Sequence, residues 1–154
     1  MILEDTIRID APAQAVWDVL LDVNAIAGLM PGMESVTQID DRTFDGTIFA
    51  SVGPISGTFS FRAHILDSTP PRSMTAEVLG SDSVTRSAVR VDTGFTLDSV
   101  DDQATDLAYR ADVQIQGRLA ILGDMVLRAT AALILEEFAK RLRQRVCSDG
   151  SAGA

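Results

Sequence analysis

The sequence predicts an α+β domain in which a curved antiparallel sheet of seven strands closes around one long C-terminal helix. Three observations carry this expectation. From Asp124 to Cys147 the chain runs without Gly or Pro, in a composition of Ala, Leu, Met, Arg, Glu and Lys that favours helix. Between Met33 and Gly117 apolar and polar residues alternate in segments closed by Gly, Pro and Asp, which is the period of half-buried strands. The first half of the final helix is apolar over a wide arc, from Met125, Val126 and Leu127 through Ala129, Ala131 and Ala132 to Leu133, Ile134 and Leu135. Such a helix asks for cover on more than one flank, and a curled sheet is its natural cover.

The elements follow in order. Residues 2–10 alternate imperfectly, with Ile2, Glu4, Thr6 and Arg8 on one side and Leu3, Asp5, Ile7 and Ile9 on the other. Asp10 stands where it can cap a helix that has Pro12 in its first turn. Val16, Trp17, Leu20, Leu21 and Val23 recur at helical spacing, so 12–23 reads as an amphipathic helix. A second short helix, 24–30, ends at Pro31-Gly32. Strands 33–40 and 43–52 turn at Asp40-Asp41-Arg42, and Gly53-Pro54 turns the chain into a long strand, 56–68. There Phe59, Phe61, Ala63 and Ile65 oppose Ser60, Arg62, His64 and Leu66. Strand 73–80 follows the Thr69-Pro70-Pro71-Arg72 turn.

Of the last two strands, one lines up Val89, Val91, Thr93, Phe95 and Leu97, the other Leu107, Tyr109, Ala111, Val113 and Ile115. Arg90, Asp92, Arg110, Asp112, Gln114 and Gln116 fall on the opposite faces, which suits solvent. In the final helix Asp124 sits at the end that welcomes a carboxylate, and Lys140, Arg141, Arg143 and Arg145 are expected in the last turns. Residues 1–147 are therefore expected to form one domain and 148–154 a disordered tail.

Composition narrows the function. The 154 residues carry a net charge of −9, which argues against nucleic acid and against unaided docking on anionic lipid. No basic segment followed by an apolar core opens the chain, and no apolar run is long enough to span a bilayer, so a cytoplasmic protein is expected, at most on the inner face of the membrane. One histidine, His64, and one cysteine, Cys147, leave no His/Cys metal cluster and no Cys–His dyad within a chain. His64 falls on the strand face opposite Phe59 and Phe61 and reads as a surface residue. The serines lack an inward histidine for triad chemistry. Gly53-Pro54-Ile55-Ser56-Gly57 has neither the spacing nor the following helix of a phosphate loop and reads as a hairpin turn. Neither a catalytic residue nor a metal site is expected.

Aromatic residues are only 5% of the chain, and Gly46, Gly57, Gly94 and Gly117 interrupt its strands, which leaves room for a space between helix and sheet. Trp17, Phe59, Phe61, Phe95, Tyr109 and Met125 either line such a pocket or fill an ordinary core. Tyr109 offers a phenol and Arg118 a cation to a ligand carbonyl, although Arg118 serves equally well as a loop cap. Leu29, Met30, Pro31 and Met33 suggest an apolar lip at a cavity mouth, or a helix end packed on the sheet.

The order of strand, two helices, six strands and long helix matches the helix-grip fold of the START-like (SRPBCC) superfamily, shared by the birch-pollen allergen, START lipid-transfer domains and polyketide cyclases. Within it the chain resembles the G-subunit family of carbon monoxide dehydrogenase. Trp17 with Leu20 and Asp22 carry the likeness, then Leu29-Met30-Pro31-Gly32, Phe44-Asp45-Gly46 and Val52-Gly53-Pro54-Ile55. Pro70-Pro71 and Gly117-Arg118-Leu119-Ala120-Ile121-Leu122-Gly123 complete it, over residues 1 to about 146. The resemblance implies an accessory, membrane-recruiting factor for a molybdenum hydroxylase complex, with a quinone-like hydrophobic small molecule in the helix–sheet cavity and no covalent cofactor. Many family members carry an apolar anchor after the final helix, and here membrane contact is expected to be indirect. A polyketide cyclase-like enzyme and a ligand-free interaction module are the alternatives.

Overall fold

Strand alternation builds one sheet. The computed structural model describes residues 1–152 along the backbone and 1–147 with their side chains. The strands are β1 (Ile2–Ile9), β2 (Met33–Asp40), β3 (Thr43–Val52), β4 (Ile55–Thr69), β5 (Ser73–Asp82), β6 (Ser87–Asp101) and β7 (Ala104–Gly117). Helices α1 (Ala13–Leu20) and α2 (Val23–Leu29) follow β1; a 3-10 turn (Arg118–Leu122) and α3 (Asp124–Ala152) end the chain. All seven strands pair antiparallel in the order β1-β7-β6-β5-β4-β3-β2. This is the helix-grip arrangement. The tail expected at 148–154 falls on residues described only as helical backbone (148–152) or lying outside the description (153–154).

The helix starts differ from expectation in one respect. Asp10 caps nothing: Pro12 is the N-cap of α1 and provides no side-chain bond. Asp22 does that work for α2, accepting from the N–H groups of Asn24 and Ala25 at 2.9 and 3.4 Å. The basic residues of α3 also act elsewhere than at a terminus, because the helix continues to Ala152. Arg141 pairs with Glu137 at 3.0 Å and donates to the Gly28 carbonyl, while Arg143 donates to the Arg8 carbonyl. They fasten α3 to α2 and β1.

Two buried clusters hold the layers together. The first joins Ile9 and Ala11 with Val16, Trp17 and Val19 of α1, Leu29 of α2, Leu97 and Leu107 of the sheet, and Leu142 and Val146 of α3. The second is smaller: Val52, Phe59 and Leu119 are its buried members, with Leu122 and Leu127 packed against them. It fixes the 3-10 turn and the start of α3 to the β3–β4 hairpin.

A buried polar chain ties the β5–β6 turn to the same 3-10 turn. The Leu119 N–H donates to Ser87 Oγ at 3.1 Å, Ser87 Oγ lies 3.1 Å from Thr85 Oγ1, and Thr85 Oγ1 donates to Asp82 at 3.0 Å. The Val84 N–H also donates to Asp82, at 2.9 Å. These donors, the Val84 amide first, hold the Asp82 carboxyl below the usual carboxylate range. The unfolded chain then takes up a proton more readily than the folded one. Stability from this group is fully present above about pH 4 and falls as acid titrates the folded carboxylate. Asp82→Asn is expected to flatten the acid limb of a thermal-midpoint-against-pH curve. An unchanged limb would show that other carboxylates govern it.

Candidate functional site: the inner face between the two clusters

Cross-strand register places the residues that matter. Val113, Val91, Val78, Ala63 and Phe44 are successive partners across β7, β6, β5, β4 and β3. They form a row on the face that carries Phe95 and Leu97, so the row looks toward the helices. One row away lie Ile115, Val89, Gly80, Phe61 and Gly46; on the other side lie Ala111, Thr93, Ala76 and Ile65.

In a filled core such residues would be buried. Here Phe44, Phe61, Ala63, Val78, Val91, Ala111, Val113 and Ile115 are all partly exposed. On the helix, no residue between Asp124 and Arg141 is buried, whereas Leu142 and Val146 are fully so. The backbone of α3 keeps its close contacts mainly with α1, α2, the 3-10 turn and the β3 end. The helix is held at both ends and stands off the middle of the sheet. That interval is the candidate site.

Glycine opens its floor. Phe61 has Gly46 as its partner on one side and Gly80 on the other. A Cβ at Gly46 would come within 2.6 Å of the Phe61 ring, so the ring lies over a position that must lack a side chain. Trp17 and Phe95, with centroids 5.8 Å apart and planes tilted by 56°, wall one end of the interval. Phe59, buried in the smaller cluster, walls the other.

The remaining expected residues divide. Tyr109 faces the helices beside the Trp17–Phe95 wall and is partly exposed. Its hydroxyl has no hydrogen-bond partner among the described residues, and burial, with the Asp5 charge second, raises its pKa. Met30 ends α2 half-exposed next to Pro31, but Leu29 is buried in the large cluster, so the expected lip reduces to Met30, Pro31 and Met33. Met125 does not line the interval: it is 85% exposed on α3, where Leu133 is likewise exposed at 67%. Nor does Arg118, which is exposed on the 3-10 turn beyond the smaller cluster. The full arc of α3 is thus not covered, because the helix lies over the sheet with only one side. His64 is exposed on the outer face, 3.2 Å from Thr43 Oγ1 through its Nδ1.

Sequence reasoning passed over Asp5 as a site residue. It pairs with Tyr109 across β1 and β7 and shares the helix-facing side with Leu3 and Ile7. Its signal was the break in the apolar alternation of β1. Asp5, Tyr109, Phe95, Thr93 and Ala76 border a recess of 810 Å³, and Gly46 and Phe61 border one of 460 Å³; strand residues line both, without any contribution from α3. Among the described residues no three His, Cys, Asp or Glu side chains come together to hold a metal ion, and no helix is long and apolar enough to cross a membrane.

Comparison with known proteins places the chain. The family model for the carbon monoxide dehydrogenase G-subunit (CoxG) matches residues 6–147. No curated protein matches by sequence. Among solved structures, a conserved protein from Geobacillus kaustophilus superposes with a TM-score of 0.90 at 19% identity, over 96% of each chain. A START superfamily protein from Mycobacterium smegmatis gives 0.73 at 15% identity, covering 96% of this chain and 97% of that one. The Zhui aromatase/cyclase from Streptomyces sp. R1128 gives 0.71 at 18%, covering 95% and 93%. At these identities the structures establish a common fold.

Proposed function

Because the chain belongs to the carbon monoxide dehydrogenase G-subunit family (CoxG), we propose that it holds a hydrophobic, quinone-like molecule between α3 and the sheet. In this role it serves a molybdenum hydroxylase of the carbon monoxide dehydrogenase type as a non-enzymatic accessory on the cytoplasmic side of the membrane. The observation that carries the ligand reading is the partly exposed apolar floor between two buried clusters. Covering about 200 Å² of such surface would contribute about 5 kcal/mol before the ligand's own ordering losses. The accessory role and the partner rest on family membership.

Binding in this picture is non-covalent. The valine and alanine row takes the flat face of a ring, Phe61 and the Trp17–Phe95 pair border it, and Tyr109 offers one hydrogen bond. The phenol is neutral at physiological pH, as an ordinary tyrosine is, and so can donate. A cyclase-like reaction would require proton transfer along the inner face, where His64 takes no part because it points outward and the opposed Asp5 and Tyr109 would have to carry it. Organic extraction of protein purified from its native host, followed by mass spectrometry, tests the ligand reading. A stoichiometric apolar molecule is expected. An empty extract, with no quenching of Trp17 fluorescence by 2-methyl-1,4-naphthoquinone, would point to a ligand-free docking module instead.

A further inference from the structure

We propose that Asp5 and Tyr109 together make the polar corner of this interval selective for a neutral ligand bearing a hydroxyl group, so that a hydroquinone or phenol is held in preference to the quinone. The inference rests on reading the interval as a ligand site and adds to it the chemical form of the ligand.

Asp5 and Tyr109 are direct partners in the β1–β7 ladder, flanked on the same face by Leu3, Ile7, Leu107 and Ala111. Directly opposed side chains of this kind have Cβ atoms about 5 Å apart, so both can reach one ligand atom. Asp5 Oδ1 accepts the Thr6 N–H at 2.8 Å. Its second oxygen has no partner among the described residues, and no arginine forms an ion pair with it. The carboxylate therefore presents only acceptor lone pairs, and Tyr109 presents a proton.

A single ligand hydroxyl satisfies both groups, donating to Asp5 and accepting from Tyr109. A carbonyl satisfies only Tyr109 and turns its lone pairs toward the carboxylate. A fatty-acid carboxylate meets like charge. Polar sites discriminate through the group left unpaired, and here that group is Asp5. An inward charge on an edge strand also discourages pairing between sheets. That role alone requires neither an unpartnered phenol opposite nor any ligand preference.

Calorimetric titration of the full chain under anaerobic conditions separates these accounts, with 2-methyl-1,4-naphthohydroquinone and 2-methyl-1,4-naphthoquinone as probes. The wild type is expected to bind the hydroquinone about tenfold more tightly, a modest ratio because Asp5 is open to solvent on one side. Asp5→Asn should weaken the hydroquinone and leave the quinone nearly unchanged, collapsing the ratio. Tyr109→Phe should weaken both. Equal wild-type affinities, or a ratio that survives Asp5→Asn in a variant of unaltered Tm, overturn the selectivity while leaving the ligand site standing. Binding of neither probe to the wild type overturns the ligand site as well.

Discussion

Gly117→Ala is expected to destabilise the protein by about 3 kcal/mol or more, lowering Tm by about 6–12 °C for a chain of this size. Gly117 ends β7 with φ +86° and ψ −150°, a conformation open in practice only to glycine. A Cβ there would also overlap the carbonyl oxygen of Arg86, a backbone atom with nowhere to move, since Ser87 pairs with Gly117 at the ladder's end. Relief would require the 3-10 turn to shift, taking Leu119 out of the smaller buried cluster and its N–H off Ser87. Gly123 supplies the control. Its φ is +88°, but a Cβ would meet nothing within 4 Å. Gly123→Ala therefore carries the backbone strain alone, about 1–2 kcal/mol. Thermal denaturation of both variants decides the matter: equal losses would mean that the close approach to Arg86 contributes nothing.

Much of this fold was legible because its signals are local and repeated. The period-two runs of β4, β6 and β7 gave the register face by face, and Phe59, Phe61, Phe95 and Tyr109 all lie on the expected side. What depends on the distance between layers was not legible. Met125 and Leu135 look alike in a helical run, yet one is 85% exposed and the other is half-buried. Nothing in a one-dimensional pattern says how much of an apolar arc a sheet will cover. Arg118 failed for a related reason: the 3-10 turn places it beyond Leu119, outside the plug that Leu119 helps to form. Asp5 shows the converse. Its place in the alternation of Leu3, Ile7 and Ile9 was visible, and the break in the pattern marked the one carboxylate opposite Tyr109.

Val91→Trp tests the standoff of α3 itself, and its expected outcome is loss of ligand binding, by a hundredfold or more, in a protein at least as stable as the wild type. Val91 sits at the centre of the floor, between Val113 and Val78, and is partly exposed. In a close-packed interior an added indole would have no room and would cost about 1–3 kcal/mol or more through displaced neighbours. In an interval that already admits solvent, the ring covers Ala63, Phe61 and the inner side of α3 and gains apolar burial instead, about 25 cal/mol for each Å² removed from water. The same ring occupies the volume that a bound molecule needs, so affinity for 2-methyl-1,4-naphthoquinone should vanish from a calorimetric titration while Tm holds or rises. The two readouts together are decisive because the two possible interiors predict opposite signs for the change in Tm. A sharp fall in Tm would show that the middle of the sheet is already filled by the chain, and with it the ligand site would go. Retained Tm with undiminished binding would move the ligand away from the valine row. The open floor requires the remaining combination, since only there do the two properties separate: the surface that lowers the stability of the empty protein is the surface that a ligand covers.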